Sequence, residues 1–87
     1  MNIVDFIPKK EHGTIKGREL AKLLNIEEPT VRKLINEQRS NGTPICSCQK
    51  GYYYSEDVHD VERTIAFLQS RISTQLKAVY GLIGLVE

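Results

Sequence analysis

The sequence has few cysteines, little net charge and no low-complexity stretch. Its 87 residues include two cysteines, and its 12 basic and 11 acidic residues give a net charge of +1. In the reducing compartment that we expect, Cys46 and Cys48 are free thiols. So small a charge is unlike that of a dedicated nucleic-acid binder, whose affinity depends on phosphate contacts. A role in DNA binding must therefore depend on where the charges lie. This length allows one domain with one modest core.

The chain also lacks long apolar runs. None approaches the roughly 18 apolar residues that a transmembrane helix requires. The N-terminal sequence MNIVD has neither the basic start nor the apolar core of a signal peptide. We therefore expect a cytoplasmic protein that has no signal peptide and does not bind membranes.

Residues that bind metals or carry out catalysis are scarce. Zinc sites usually have four ligands, whereas this chain offers one Cys-x-Cys pair and two distant histidines, His12 and His59. Both cysteines fall on one face of a predicted strand, and we expect Cys46 in the core. His59 lies beside Asp57 and is expected to be exposed. No set of nucleophile, base and orienting residue is apparent, so we expect no metal, no cofactor and no enzymatic activity.

Three segments have the apolar spacing of helices. The first covers residues 16–25, where Leu20, Leu23 and Leu24 share one face and an asparagine suits a left-handed C-terminal cap. The second runs from residue 29 to about 41, with a proline at its first position. The third runs from about residue 56 to about residue 80. It defines a C-terminal element, residues 56–87, that follows a domain formed by residues 1–55.

A β-hairpin is predicted between the second and third helices. Residues 44–48 and 52–54 have strand composition, and the glycine-containing turn 49–51 separates them. Alternation along the second strand puts Tyr53 on one face and its two tyrosine neighbours on the other. The tyrosines could stack on nucleobases, but alternation favours packing in the core. A brief extended piece is expected at residues 14–15, and Ser55 is expected to cap the third helix.

The third helix carries an apolar stripe with steps of three and four residues. The stripe consists of Val58, Val61, Ile65, Leu68, Ile72, Val79, Leu82 and Val86, and is widened by Leu76 and Ile83. This spacing is typical of a coiled coil, and Gln75 is a polar residue within it. The helix could pack on its own domain or pair with a second copy. We expect a homodimer whose interface contains Val61, Ile65, Leu68, Ile72, Leu76 and Val79.

The order helix, tight turn, helix, hairpin is that of a winged helix-turn-helix. LAKLLNI (residues 20–26) followed by TVRKLI (residues 30–35) resembles the helix-turn-helix of biotin-repressor-like winged-helix domains. GTPICS (residues 42–47) and KGYY (residues 50–53) resemble the strands and turn of that family's wing. Small phage-encoded winged-helix proteins also end in a long helix similar to residues 58–76. The resemblance covers roughly residues 14–80.

This resemblance implies a mostly α fold with a small β-hairpin, and a long C-terminal helix. It implies a phage or bacterial DNA-binding protein that regulates transcription or replication, acting as a dimer on duplex DNA. The implied base contacts are Glu28, Pro29, Thr30, Arg32, Lys33 and Asn36. The implied backbone contacts are Lys16, Arg18, Gln49, Lys50 and Tyr52. The basic and amide side chains suit these roles, because arginine pairs with guanine and asparagine with adenine.

One feature departs from the family's pattern and leaves a second function open. Glu27 and Glu28 stand where family members often carry serine or arginine, and two carboxylates repel phosphate at a helix N-terminus. Arg32 and Lys33 would then be a solvated helix face. The alternative is a protein-interaction module on the same fold.

Overall fold

The computed structural model describes residues 2–86 of the chain. Two short 3-10 turns precede two α-helices, a β-hairpin and one long α-helix. The 3-10 turns are Ile3–Phe6 and Lys10–His12, the helices are α1 (Gly17–Leu24), α2 (Glu28–Ser40) and α3 (Val58–Ile83), and the strands are β1 (Ile45–Cys48) and β2 (Gly51–Tyr54). The predicted class, mostly helical with a small hairpin and a long C-terminal helix, is confirmed.

The core forms where α1 and α2 face the hairpin and the N-terminal segment. Its buried members are Ile3, Ile7, Leu20, Ala21, Val31, Ile35 and Ile45. Full burial of each large aliphatic side chain stabilises the fold by roughly 1.5–3 kcal/mol. Leu23 was expected to share the buried face of α1, but its side chain is 60% exposed. The buried face is centred between Leu20, Ala21 and half-buried Leu24, which leaves Leu23 at its edge.

A three-residue turn, residues 25–27, joins α1 to α2. Asn25 has φ 55° and ψ 47°, the predicted left-handed cap, and its N–H donates to the carbonyls of Ala21 and Lys22. The second helix begins at Glu28, one residue before the prediction, and ends at Ser40. Glu27 is extended at the N-cap, and its carbonyl accepts the first N–H bonds of the helix. Pro29 therefore occupies the second position, where its missing N–H costs nothing.

The hairpin is antiparallel and gains two further pairings from the preceding chain. Ile45 pairs with Tyr54, and Cys48 pairs with Gly51 across the turn. Ile15, predicted as extended, forms a bridge with Tyr52, and Lys9 forms one with Tyr54. These bridges lie on the edge of β2 that faces away from β1, so both edges of this short strand are paired.

The side chains of the hairpin alternate as predicted. Tyr53 and Cys46 are buried, and Cys48 is exposed. Tyr52 and Tyr54 lie on the other face, half-buried against the main core. Burial raises the pKa of the Tyr53 hydroxyl and of the Cys46 thiol. The prediction that the tyrosines serve mainly in packing is confirmed for Tyr53.

The long helix begins and ends later than predicted. Asp57, not Ser55, is the N-cap, and its carboxylate accepts a hydrogen bond from the N–H of His59 at 2.8 Å. The Ser55 hydroxyl accepts from the Asp57 N–H and donates to Asp60 at 2.7 Å. Ser55 therefore stabilises the turn before the helix, and α3 starts at Val58. Its far end lies at Ile83, three residues beyond the expected end at Tyr80.

A buried carboxylate fastens the start of α3 to the rest of the molecule. The Asp60 side chain is 1% exposed and contacts the Lys10 ammonium at 2.8 Å and the Arg63 guanidinium. The hydrogen bonds from Lys10 and Ser55 lower the pKa of Asp60 from 3.8 to about 2. The hydrogen bond between Lys10 and Asp60 also raises the pKa of the Lys10 ammonium. Residues from the N-terminal segment, the hairpin exit and α3 thus meet at one charged group.

Within residues 2–86, no helix is both long and apolar enough to cross a bilayer. The same part of the chain contains no group of three or more histidine, cysteine, aspartate or glutamate side chains placed to hold a metal ion.

We predict that Asp60 makes the folded state sensitive to acid. Because its folded pKa lies below the usual value, its stabilising contribution is complete above about pH 4 and is lost as the pH falls towards 2. Asp60→Asn should lower the melting temperature at pH 7 and flatten its decline between pH 4 and pH 2. Thermal unfolding followed by circular dichroism measures both effects.

Glu62→Gln, which alters an exposed carboxylate of the same helix, should leave the decline unchanged. An equal decline in the Asp60→Asn protein would contradict the assignment.

Candidate nucleic-acid interface

The outward face of α2 presents polar and basic side chains. Arg32, Lys33 and Asn36 are exposed because the helical period puts them opposite the buried Val31 and Ile35. Arg32, Lys33 and Asn36, together with Pro29, line an open depression of about 720 Å³ along the helix. Four of the six predicted base-contacting residues therefore share one continuous surface.

A second depression brings three elements together. It has a volume of about 400 Å³, and Lys16 and Arg18 line it from the start of α1, Glu28 and Arg32 from α2, and Tyr52 from β2. Arg32 lines both depressions, so the two surfaces are continuous. Residues that the sequence separates by more than thirty positions thus converge beside the first turns of α2.

The hairpin turn extends this surface on one side. The hydroxyl of Thr14 donates to the carbonyl of Lys50 at 3.2 Å, and the side chain of Lys50 is exposed. Gln49 joins Lys16 and Tyr52 around a further depression of about 240 Å³. Lys50 lines none of these three depressions and lies at the turn itself. Thr30 is exposed in the first turn of α2 and lies outside their linings.

Gly51 allows the hairpin to approach the chain before α1. Its φ is +136°, and a Cβ built there would lie 2.5 Å from the carbonyl oxygen of Ile15. Ile15 exchanges two backbone hydrogen bonds with Tyr52, of 2.8 and 2.9 Å. Only glycine combines this backbone conformation with so close an approach. The position of the hairpin turn relative to Lys16 and Arg18 therefore depends on Gly51.

Arg39 holds the hairpin against α2, a role that was not predicted from the sequence. Its guanidinium donates to the carbonyl of Ile45 at 2.8 Å and to the Ser47 hydroxyl at 3.3 Å, and lies 5.8 Å from the Tyr52 ring centroid. Burial lowers its pKa. The signal was available, because Arg39 continues the four-residue spacing of Val31 and Ile35 on the buried side of α2.

The charge of the surface is mixed. Lys16, Arg18 and Arg32 surround one acidic residue, Glu28, in the second depression. Glu27 is also exposed, and its side chain does not cap α2. The N-terminus of α2 therefore carries two carboxylates that weaken its attraction for anions. The basic residues attract phosphate from both sides of this acidic start.

The residues predicted for dimerisation lie along α3, away from the core. Val61 and Leu68 are half-buried against the hairpin side of the molecule, whereas Ile65, Ile72, Leu76 and Val79 are exposed. His59 is exposed at the start of α3, as predicted.

Comparisons of the chain with protein families, with curated proteins and with solved structures found no match.

The surface around α2 can bind an extended anion by hydrogen bonding and charge. It offers guanidinium, ammonium and amide donors on a convex helix, beside a tyrosine ring and a basic turn. Arginine and asparagine can each make two hydrogen bonds in one plane with the edge of a base. Lysine acts on phosphate as a point charge.

We predict that Gly51→Ala loosens the hairpin from residue 15. The backbone conformation alone costs about 1–3 kcal/mol for a residue with a side chain, and the clash with Ile15 adds to it. Gly42→Ala is the matched control, because Gly42 has φ +89° and open space around it. Urea unfolding should therefore show a larger loss of stability for Gly51→Ala than for Gly42→Ala. Equal losses would mean that the close approach to Ile15 contributes nothing.

Proposed function

We propose that the chain is a winged helix-turn-helix domain that binds duplex DNA, with α2 in the major groove and the β1–β2 hairpin as the wing. The observation that carries this proposal is the convergence of Lys16, Arg18, Arg32 and Tyr52 from three elements on one surface beside α2. The three-residue turn between α1 and α2 fits the motif, since such turns hold one helix across the back of the other.

The outer face of α2 supplies the groups that read base edges. Arg32 is suited to the two acceptors of guanine, and Asn36 to the acceptor and donor of adenine. Thr30 can contact a thymine methyl group or a phosphate. Glu28 can accept a hydrogen bond from the amino group of cytosine, which gives its carboxylate a role beside DNA. Pro29 contributes an apolar surface in the same turn.

The flanking residues suit the sugar-phosphate backbone. Lys16 and Arg18 lie on one side of α2, and Gln49 and Lys50 lie at the hairpin turn. Lys33 carries a further positive charge on the outer face of α2. Such contacts position a protein on the duplex and make its affinity fall with salt concentration.

The proposed role is that of a phage or bacterial regulator of transcription or replication, without a catalytic step of its own. Binding alone accomplishes such a role, because occupying a site on DNA excludes or recruits other proteins. No cofactor is required by this proposal.

We predict that the double variant Arg32→Ala, Lys33→Ala loses duplex binding. Each lost contact costs about 1–3 kcal/mol, so affinity should fall at least about 30-fold in a gel-shift titration at low salt. Both side chains are exposed, so the fold should be retained, and circular dichroism checks this.

The matched control is Lys9→Ala, Lys22→Ala, which removes the same two charges from exposed residues that line none of the depressions beside α2. This control should bind nearly as tightly as the natural sequence. Unchanged binding by the Arg32, Lys33 variant would rule out α2 as the recognition helix. An equal loss in both variants would mean that only total charge matters.

A second function is favoured by one observation, the acidic start of α2. Glu27 and Glu28 are exposed together on a chain whose net charge is only +1. A winged helix with such a surface can dock another protein through the same face, because carboxylates there suit a basic partner better than phosphate.

Retention on immobilised random duplex DNA at low salt separates the two functions. A DNA-binding domain should be retained and should elute as salt rises. Flow-through without retention would favour the protein-docking function. Glu27→Gln with Glu28→Gln should delay elution if α2 faces the duplex, because two repulsive charges have been removed. Asp5→Asn with Glu11→Gln, which removes two exposed carboxylates from the N-terminal segment, serves as the control of equal charge.

A further inference from the structure

The long helix contacts its own domain through a polar side. The residues of α3 that are buried are Asp60 and Thr64. The Thr64 hydroxyl accepts a hydrogen bond from the Ser47 N–H at 3.3 Å and donates to the Asp60 carbonyl at 3.0 Å. These two residues lie about 100° around the helix from the centre of the apolar stripe. The side of α3 that faces the domain is therefore the polar side, whose groups need hydrogen-bond partners.

The apolar stripe remains largely exposed as a result. Ile65 is 47% exposed, Ile72 58%, Leu76 47% and Val79 49%. Every residue from 71 to 86 is exposed. A helical segment of this length that buries no side chain is marginally stable in water. An exposed apolar surface of this extent marks an interaction site.

The stripe leads into an apolar groove on the domain. Val61, Ile65 and Leu68 form one wall of the groove, and Pro44 and Ile45 contribute to the other. The groove has a volume of about 260 Å³. Ile65 and Leu68 belong to both the groove and the stripe, so the groove and the exposed end of α3 form one continuous surface.

We propose that a second copy of this chain covers the surface, with the two α3 helices antiparallel and the end of each helix lying over the groove of the other. The stripe from Val61 to Val79 is about 27 Å long at 1.5 Å per residue. An antiparallel pair centred near residue 70 sets Val61 opposite Val79 of the partner subunit, and Leu68 opposite Ile72 of the partner subunit. This inference does not depend on DNA binding.

The charges along α3 favour the antiparallel orientation. The segment 56–62 contains three exposed acidic residues, Glu56, Asp57 and Glu62, and no lysine or arginine. The segment 64–87 contains Arg71 and Lys77 and one acidic residue, Glu87, at its end. Antiparallel helices set the basic segment of each copy beside the acidic segment of the other, whereas parallel helices set like charges together.

The mass of the full chain in solution, measured without DNA, tests the pairing. A chain of 9.9 kDa should show twice that mass at micromolar concentration by sedimentation or light scattering. The variant Leu76→Glu, Val79→Glu should have the mass of a single chain. The control Ala66→Glu, Ser70→Glu adds the same two charges on the opposite side of α3 and should stay dimeric.

The outcomes of the mass measurement are distinct. A natural chain that stays monomeric contradicts the proposal, since something other than a second copy must then cover the stripe. A dimer that survives in the Leu76, Val79 variant also contradicts it. Circular dichroism should show that the domain of this variant still unfolds cooperatively and that at most the helical signal of residues 71–86 is lost, because all of those residues are exposed in a single chain.

Disulfide cross-linking tests the orientation independently. In a Cys48→Ser background, which removes the exposed native thiol, chains carrying Val61→Cys are mixed with chains carrying Val79→Cys. Antiparallel pairing predicts a cross-linked dimer in the mixture and little from either variant alone. Efficient cross-linking of the Val61→Cys chain with itself would show parallel helices and overturn the proposed arrangement.

Discussion

Asp60 has a side chain that is 1% exposed, and its carboxylate is bound by Ser55, Lys10 and Arg63. A buried charge destabilises a fold unless it is paired and hydrogen-bonded. The Lys10 ammonium can reach Asp60 only when the N-terminal segment lies across the hairpin exit. The Ser55 hydroxyl can reach Asp60 only when the turn before α3 is tight. The direction in which α3 leaves the domain is therefore set by the need to satisfy one carboxylate.

The direction of α3 decides which side of that helix is exposed. Because Asp60 and Thr64 occupy the contact with β1, the apolar stripe turns away from the core of Leu20, Val31 and Ile35. The outer face of α2 is likewise left open, since α2 packs its apolar side against α1 and the hairpin. The two proposed surfaces thus lie on different elements. A substitution in one need not disturb the other.

The sequence predicted the order and type of the three helices and the hairpin, because apolar spacing and strand alternation are local signals. The two 3-10 turns before α1 were not predicted. The burial of Leu20, Val31, Ile35 and Cys46 followed from them, whereas alternation alone did not decide which face of the tyrosine strand is buried. The observed starts of α2 and α3 differ from the predicted starts by one and two residues, because Glu27 and Asp57, both extended, are the N-cap residues. The burial of Asp60 and Arg39 was not predicted, because it depends on partners that only the folded chain brings close. The spacing of Arg39 after Val31 and Ile35 indicates its side of α2, but nothing in the sequence shows that Ile45 and Ser47 will accept its hydrogen bonds.

The two proposals support each other through charge. One copy presents few basic residues beside α2, and Glu27 and Glu28 reduce their attraction for phosphate. Two copies joined through α3 double the phosphate contacts without adding charge to either chain, and the second domain binds at a high effective concentration once the first has bound. The near-neutral composition is then compatible with DNA binding by a dimer. A monomer with the same surface would make half as many phosphate contacts, and its electrostatic steering towards DNA would be weaker.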